Sequence, residues 1–268
     1  MDLTVLGGAA ACPNPAQGCA GYLVTHEGMR VVLDCGPGTL PVLRDLADVR
    51  TLDAIIISHL HADHTLDLVP LRYGLKYGPG SNDRRLPVYL PPGGLAFLDR
   101  IAAALATDGE PSGDFFESVY ALAEYDAASE LTIGSLTIRF HPTRHSIPCW
   151  AMRIEDGQHV LAYLADTAHS PDLAHFAHGA DLLVCEATLD DPEIGGTVGH
   201  LTARQAGEMA AAAEARTLLL THYWAELGRE RLRAEAMEAF GGPVEVATPY
   251  ATFTVGPSNA GDGSSARE

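Results

Sequence analysis

Three histidines and one aspartate lie within six consecutive residues, in the segment His59-Leu60-His61-Ala62-Asp63-His64. The mostly apolar residues 52–57, separated from it only by Ser58, predict a buried strand. Imidazole nitrogens and carboxylate oxygens are the common protein ligands of zinc and similar metals. Polar groups at the end of a buried strand are costly unless something pairs with them, and a metal would do so. Because the four side chains point in two directions, the segment suits two adjacent metals that share one loop.

Each of the two metals then needs ligands from other parts of the chain. Three candidates stand at the ends of predicted strands: His145 follows the strand 136–141, Asp166 follows 159–164, and His222 follows 218–221. Polar residues at strand ends commonly line the sites of α/β folds. Any one of them could be a capping or packed residue. Together with the segment 59–64, they predict one site with seven ligands.

The composition limits which partners and compartments are reasonable. The chain has 268 residues, of which 47% are hydrophobic and 19% charged, as expected of a soluble globular protein with a core. A formal net charge of −18 disfavours a large nucleic acid, and no apolar run has the length of a membrane span. The N-terminus lacks the features of a signal peptide, so we expect a cytoplasmic protein. The five cysteines show no CxxC spacing and are expected to be reduced.

The order of predicted elements indicates the fold class. Predicted strand runs are followed by helices in each half of the chain, which favours two β-sheets that face each other with helices outside. The pattern predicts a helix over residues 65–77 and a helix or irregular piece over 115–123. We expect a single domain over residues 1–255. The tail 256–268 lacks large apolar residues and is expected to be disordered.

Seven segments of the chain resemble, in the same order, motifs of the metallo-β-lactamase fold superfamily. Within it, they are most similar to the branch of ribonuclease Z, phosphodiesterases and arylsulfatase-like enzymes. The segments are Asp34–Gly38, His59–His64, His145–Pro148, Ala165–Thr167, Glu186–Thr188, Gly199–Thr202 and Leu220–His222. The resemblance implies an α/β fold, a four-layer αββα sandwich of two mixed sheets flanked by helices, with metals at one edge.

The resemblance also implies a role for each site residue. The first metal would be held by His59, His61 and His145, and the second by Asp63, His64 and His222, with Asp166 bridging them. We expect two divalent ions, zinc before manganese, iron or nickel. Asp63 and His200 are the expected catalytic residues. Asp34 is expected to orient a ligand histidine through its ring N–H. Glu186 could do the same or be a turn residue.

The predicted function is that of a dinuclear-metal hydrolase that cleaves a small phosphodiester by means of a metal-bridging hydroxide. Cyclic nucleotides, cyclic phosphates and aryl phosphodiesters are the candidate substrates. A carboxyl ester, lactone or aryl sulfate is the alternative, because it needs the same centre. A metal-binding module without catalysis would lack a ligand, and none is missing.

Processing of tRNA 3′ ends is a weaker alternative. Ribonuclease Z proteins carry a long tRNA-gripping arm before the bridging aspartate, whereas only 20 residues separate His145 from Asp166 here. We therefore expect a small-molecule substrate and no nucleic acid or membrane partner. Trp150, Tyr223 and Trp224 are predicted to form an aromatic rim for the substrate. The resemblance further implies a homodimer.

Overall fold

The computed structural model describes residues 1–80, 83–106, 112–191 and 199–256. The tail predicted to be disordered lies outside the described residues, apart from Gly256. Among the residues described, no helix has both the length and the apolar character needed to cross a membrane.

The first sheet has seven strands in the order β14-β1-β2-β3-β4-β5-β6. The pairs β14–β1, β1–β2 and β2–β3 are antiparallel, whereas β3–β4, β4–β5 and β5–β6 are parallel. Its strands are β1 (Asp2–Gly7), β2 (Gly21–His26), β3 (Met29–Leu33), β4 (Ala54–Ile56), β5 (Leu86–Leu90), β6 (Tyr120–Glu124) and β14 (Thr252–Thr254). The helices between them are α1 (Thr39–Leu46), α2 (Ala62–Thr65), α3 (Leu68–Tyr77) and α4 (Gly94–Leu105).

The second sheet also has seven strands, in the order β13-β12-β11-β10-β9-β8-β7. Strands β7 to β10 pair in an antiparallel manner and β10 to β13 in a parallel manner. They are β7 (Leu131–Ile133), β8 (Leu136–Pro142), β9 (Trp150–Glu155), β10 (Val160–Tyr163), β11 (Leu182–Glu186), β12 (Thr217–Thr221) and β13 (Val244–Val246). The helices on this side are α5 (Pro171–Phe176), α6 (Ala203–Ala212) and α7 (Arg229–Phe240).

Alternating side chains of the first sheet enter two separate cores. In β4, Ile56 joins a cluster shared with the second sheet, while Ile55 joins a cluster with α1, α3 and α4. This alternation is the period-two pattern of a strand buried on both faces. The two sheets thus pack on each other with helices outside, which confirms the expected αββα sandwich.

Two predicted elements differ from the structure. The helix expected over 65–77 begins three residues later, at Leu68, and Thr65 instead ends the separate short helix α2. In the segment 115–123, expected to be a helix or irregular, residues 115–119 form turns as one alternative allowed, but residues 120–123 belong to β6. The sequence Tyr-Ala-Leu-Ala-Glu of β6 favours a helix locally, but parallel pairing with β5 from Leu86 to Leu90 overrides that preference.

Candidate metal centre

The predicted ligands meet at one edge of the sandwich because several strands end there. His59 follows β4, Asp166 follows β10 and His222 follows β12 directly. Parallel strands present their carboxyl ends at the same edge of a sheet, so residues distant in sequence become neighbours. An isolated bridge between His59 and Cys149 connects the two sheets at this edge and places His145 beside the 59–64 segment.

The first group of ligand atoms comprises those of His59, His61, His145 and Asp166, which all lie within 4.8 Å of one another. Nδ1 of His61 lies 3.1 Å from Nε2 of His59 and 3.0 Å from Nε2 of His145. Oδ2 of Asp166 lies 3.6 Å and 3.8 Å from those two Nε2 atoms. Tetrahedral zinc with bonds of about 2.0–2.1 Å would place its ligand atoms roughly 3.3–3.4 Å apart. The observed spacings scatter around that value.

The second group comprises Asp63, His64, His222 and again Asp166, also within 4.8 Å. Nε2 of His222 lies 3.1 Å from Oδ2 of Asp63 and 3.5 Å from Oδ2 of Asp166. Nε2 of His64 lies 3.6 Å from Oδ2 of Asp63 and 3.5 Å from Oδ1 of Asp166. Asp166 therefore faces both groups, as a bridging carboxylate must.

The donor atoms of both groups fit bound cations. Nε2 of His64 and Oδ1 of Asp166 are buried and have no hydrogen-bond partner. In the first group, His145 donates its Nδ1 hydrogen to the carbonyl of Gly199 at 3.1 Å, which leaves its Nε2 as a lone pair. His61 has one Nδ1 hydrogen at most, and this cannot serve the lone pairs of both His59 and His145. Cations would satisfy all of these atoms.

Burial and the carboxylates set the protonation of the metal-free centre. Burial lowers the pKa of His59 well below its ordinary value and also lowers the pKa of His61 and of His145. Burial acts in the same direction on His64, but Asp166 and Asp34 outweigh it and hold its pKa well above the ordinary value. Burial would raise the pKa of Asp166, yet the neighbouring histidines hold it well below the usual range. Three ligand histidines are thus neutral and ready to bind a cation.

Asp34 accepts a hydrogen bond from the ring of the ligand histidine His64, the role that the sequence suggested. It is fully buried, and its Oδ2 accepts a hydrogen bond from Nδ1 of His64 at 2.8 Å and from the hydroxyl of Tyr163 at 2.6 Å. Its two oxygens also accept bonds from the backbone N–H and the hydroxyl of Ser58, both at 2.7 Å. Asp34 and His222 both adopt positive φ angles, 56° and 48°. Such backbone conformations are uncommon outside glycine and concentrate at functional sites.

His200 lies beside the second ligand group, and Glu186 holds it there. Its Nδ1 donates to Oε1 of Glu186 at 2.9 Å, and its ring stacks on His222 with centroids 5.6 Å apart. Burial lowers the pKa of His200, but the hydrogen bond and charge of Glu186 raise it above its ordinary value overall. Glu186, which the sequence left open, is a fully buried partner of His200 and not a turn residue.

The predicted aromatic rim is only partly supported. Trp150 and Trp224 are half-buried. Tyr223 is only 3% exposed, and its hydroxyl donates to the carbonyl of Ala247 at 2.9 Å. Its ring packs in the core shared by the two sheets, and contact between Tyr223 and the substrate stays a prediction.

Three residues of the centre escaped the sequence reasoning: Ser58, Tyr163 and Thr188. The hydroxyls of Ser58 and Thr188 contact ligand histidines, and that of Tyr163 contacts Asp34. Each of them is adjacent in sequence to a predicted strand end or motif. Position alone could have marked them as candidates, but it could not show which atom each hydroxyl contacts.

Comparison with known proteins identifies the family of this chain and agrees with its fold. Residues 29–223 match the family model described as the beta-lactamase superfamily domain. The chain is 31% identical over 249 residues to the probable metallo-hydrolase YhfI of Bacillus subtilis, covering 92% of this chain and 97% of that protein. The crystal structure of YhfI superposes with a TM-score of 0.83 at 30% identity, covering 94% of this chain and 98% of the other.

Two further proteins are similar to this chain. Ribonuclease Z of Bradyrhizobium diazoefficiens is 29% identical over 294 residues, covering 89% of this chain and 94% of that protein. The crystal structure of a diphosphatase from the PhnP family has a TM-score of 0.74 at 19% identity, covering 94% of this chain and 97% of the other. At that level of identity the second similarity concerns the fold alone.

Proposed function

Because this chain belongs to the beta-lactamase superfamily and is a metal-dependent hydrolase, we propose that it cleaves small phosphodiesters at a dinuclear centre. Asp166 is the observation that carries the proposal, since its Oδ2 lies 3.6 Å and 3.8 Å from the Nε2 atoms of His59 and His145 in the first group, while its Oδ1 lies 3.5 Å from Nε2 of His64 in the second. His59, His61 and His145 would hold one cation, and Asp63, His64 and His222 the other. When bound, such cations supply a hydroxide nucleophile near neutral pH and stabilise charge on the substrate.

The charge of the loaded centre favours an anionic substrate. Two divalent cations against the ligand carboxylates Asp63 and Asp166 leave about +2, and the hydroxide lowers this to about +1. A phosphodiester carries one negative charge and matches this field better than a neutral ester or lactone. Among the similar proteins, ribonuclease Z is by its name an enzyme that cleaves RNA, which is itself a phosphodiester.

His200 is positioned to protonate the leaving group. Its Nδ1 donates to Glu186 in either protonation state, so the transferable proton is the one that Nε2 carries when the ring is doubly protonated. In the metal-free centre, the hydrogen bond and charge of Glu186 outweigh burial and raise the pKa of His200 above its ordinary value, which favours retention of that proton. General acid catalysis of this kind contributes roughly 10²–10⁴-fold to the rate. Asp63, whose side chain is 10% exposed, would orient the attacking water and accept its proton.

A small substrate fits this chain better than tRNA. The residues between His145 and Asp166 form β9 and β10 of the second sheet, which leaves no inserted arm there. The net charge of −18 also opposes binding of a long phosphate backbone. We expect a homodimer that works on small molecules in the cytoplasm. Size-exclusion chromatography with light scattering would test the dimer.

A substrate panel tests the function. Full-length enzyme loaded with Zn²⁺ or Mn²⁺ is assayed on bis(p-nitrophenyl) phosphate, a phosphomonoester, a lactone, an aryl sulfate and precursor tRNA. We expect the phosphodiester to be the best substrate and the His64→Ala variant to lose the activity. If the fully loaded enzyme does not turn over the diester, the proposal fails. Preference for the lactone or sulfate would assign the alternative ester chemistry to the same centre.

A further inference from the structure

We propose that Ser58 and Thr188 are positioning residues that set the tautomer and orientation of one ligand histidine in each ligand group. Ser58 connects the buried Asp34 to His59, and Thr188 connects the buried Glu186 to His222. The inference rests on the dinuclear centre proposed above. The proposed effect acts through Nδ1 of His59 and of His222, the ring nitrogen that is directed away from the ligand group.

The direction of the hydrogen bonds at Ser58 follows from counting hydrogens. Oγ of Ser58 lies 2.7 Å from Oδ2 of Asp34 and 3.0 Å from Nδ1 of His59, and all three residues are fully buried. A hydroxyl has one hydrogen, and an ionised carboxylate has none to donate. The hydrogen of Ser58 must therefore point to Asp34, and its oxygen must accept the Nδ1 hydrogen of His59. Nε2 of His59 is then a lone pair that faces the first ligand group.

The same count of hydrogens at Thr188 assigns the donor role to Nδ1 of His222. Oγ1 of Thr188 lies 2.6 Å from Oε2 of Glu186, 2.8 Å from the carbonyl oxygen of His222, and 2.8 Å from Nδ1 of His222. Whichever of the two oxygens receives the hydroxyl hydrogen, none remains for the imidazole nitrogen. Nδ1 of His222 must therefore donate to Thr188, which leaves Nε2 of His222 as a lone pair directed at the second group.

The effect of each hydroxyl can be tested separately from that of the carboxylate to which it is bonded. Asp34 also binds His64 directly, and Glu186 also binds His200 directly. Removing the hydroxyl of Ser58 would free His59 but leave the bond between Asp34 and His64. Removing that of Thr188 would free His222 but leave the bond between Glu186 and His200. Each removal should thus weaken one metal site and spare the other.

Binding of Co²⁺ alone to the metal-free, full-length protein tests this selectivity. Loss of a partner behind a ligand typically costs about 10–100-fold in metal affinity. We expect Ser58→Ala to show that loss at one of two sites and Thr188→Val to show it at the other. The visible Co²⁺ spectra of the reference variants His61→Ala and His222→Ala, each lacking one ligand, identify which site is which.

Two variants separate positioning from general damage. Thr188→Ser keeps the hydroxyl and should restore affinity at the second site. Tyr163→Phe removes another hydrogen bond to Asp34 without touching a ligand histidine, so both sites should keep nearly wild-type affinity. Equal weakening of both sites by Ser58→Ala or by Thr188→Val, or no weakening at all, would overturn the inference.

A measurement on the wild-type protein covers the case in which a variant does not fold. Long-range ¹H–¹⁵N spectra distinguish the two tautomers of each histidine. We expect hydrogen on Nδ1 of His59 and of His222, and hydrogen on Nε2 of either would overturn the inference. A wild-type stoichiometry of one Co²⁺ would overturn the dinuclear centre and this inference together. Two bound ions without phosphodiester turnover would overturn only the proposed function.

Discussion

Replacing Asp34 by asparagine should weaken both the fold and both metal sites. The carboxylate is fully buried and accepts four hydrogen bonds, from Ser58 N–H, Ser58 hydroxyl, His64 and Tyr163. Asparagine has nearly the same shape and also tolerates the φ of 56° found at this position. The substitution therefore removes charge and acceptor capacity without adding backbone strain.

The expected cost follows from where each hydrogen bond ends. Oδ2 of Asp34 accepts three of the bonds and Oδ1 accepts one, from the backbone N–H of Ser58. In the better orientation the amide oxygen replaces Oδ2, and the amide NH₂ then faces the N–H of Ser58. An unsatisfied buried donor costs about 1–3 kcal/mol, and bonds to a charged acceptor exceed neutral ones by about 1 kcal/mol each. The sum is a loss of at least about 4–6 kcal/mol in the free energy of unfolding, because the amide NH₂ that faces the N–H of Ser58 also lacks an acceptor.

Urea unfolding of the metal-free proteins measures this loss. Metal titration of Asp34→Asn should also show about 10–100-fold weaker binding at both sites, because His64 and, through Ser58, His59 lose their partner. Tyr163→Phe, which removes one of the four bonds, is the matched control and should cost about 1.5–3 kcal/mol. If Asp34→Asn unfolds within about 1 kcal/mol of the wild type and binds two ions normally, the reasoning about this carboxylate is wrong.

Three further predictions concern single residues. His200→Gln should lower kcat about 10²–10⁴-fold for an alkyl phosphodiester and much less for a p-nitrophenyl one, at unchanged metal content; equal losses would exclude a general-acid role. Gly36→Ala places a Cβ 1.9 Å from the carbonyl oxygen of Asp63 and should lower the free energy of unfolding by at least about 1–3 kcal/mol, measured against Gly74→Ala, where the Cβ meets nothing within 4 Å. At Asp156, burial would raise the pKa, but the backbone N–H groups of Gln158 and His159 lower it to about 2. The ionised Asp156 therefore stabilises the fold fully above its ordinary pKa of 3.8, and this stabilisation is lost as pH falls through about 2. Urea unfolding should accordingly show that Asp156→Asn destabilises the metal-free protein by about 1–2 kcal/mol at pH 7. The difference in stability between variant and wild type should shrink below about pH 4, and a difference independent of pH would contradict this.

Local sequence determined the parts of the centre that depend on spacing along the chain. The segment 59–64 places its ligands within six residues, and a buried strand before it predicts that they stand at a sheet edge. His145, Asp166 and His222 were identifiable because each follows a predicted strand. The edge where parallel strands end is a general property of α/β folds, so it could be inferred without coordinates.

Tertiary structure decided what depends on partners far away in sequence. β6 is a strand because β5 offers a ladder, although its own residues favour a helix. Tyr223 adjoins a ligand in sequence, yet it is buried because its ring packs between the sheets. Neither outcome is visible in a local pattern, since each depends on which elements pack together.

The hydrogen bonds behind the ligands show the same division at the level of single atoms. Tyr163 meets Asp34 across 129 residues of sequence, and Thr188 meets His222 across 34. The sequence by itself determined which side chains could bind metals, because ligand chemistry belongs to residue type. Only the folded sandwich decided which nitrogen of each histidine is directed at its ligand group. That orientation depends on the hydrogen-bond acceptor that packing places next to the other ring nitrogen.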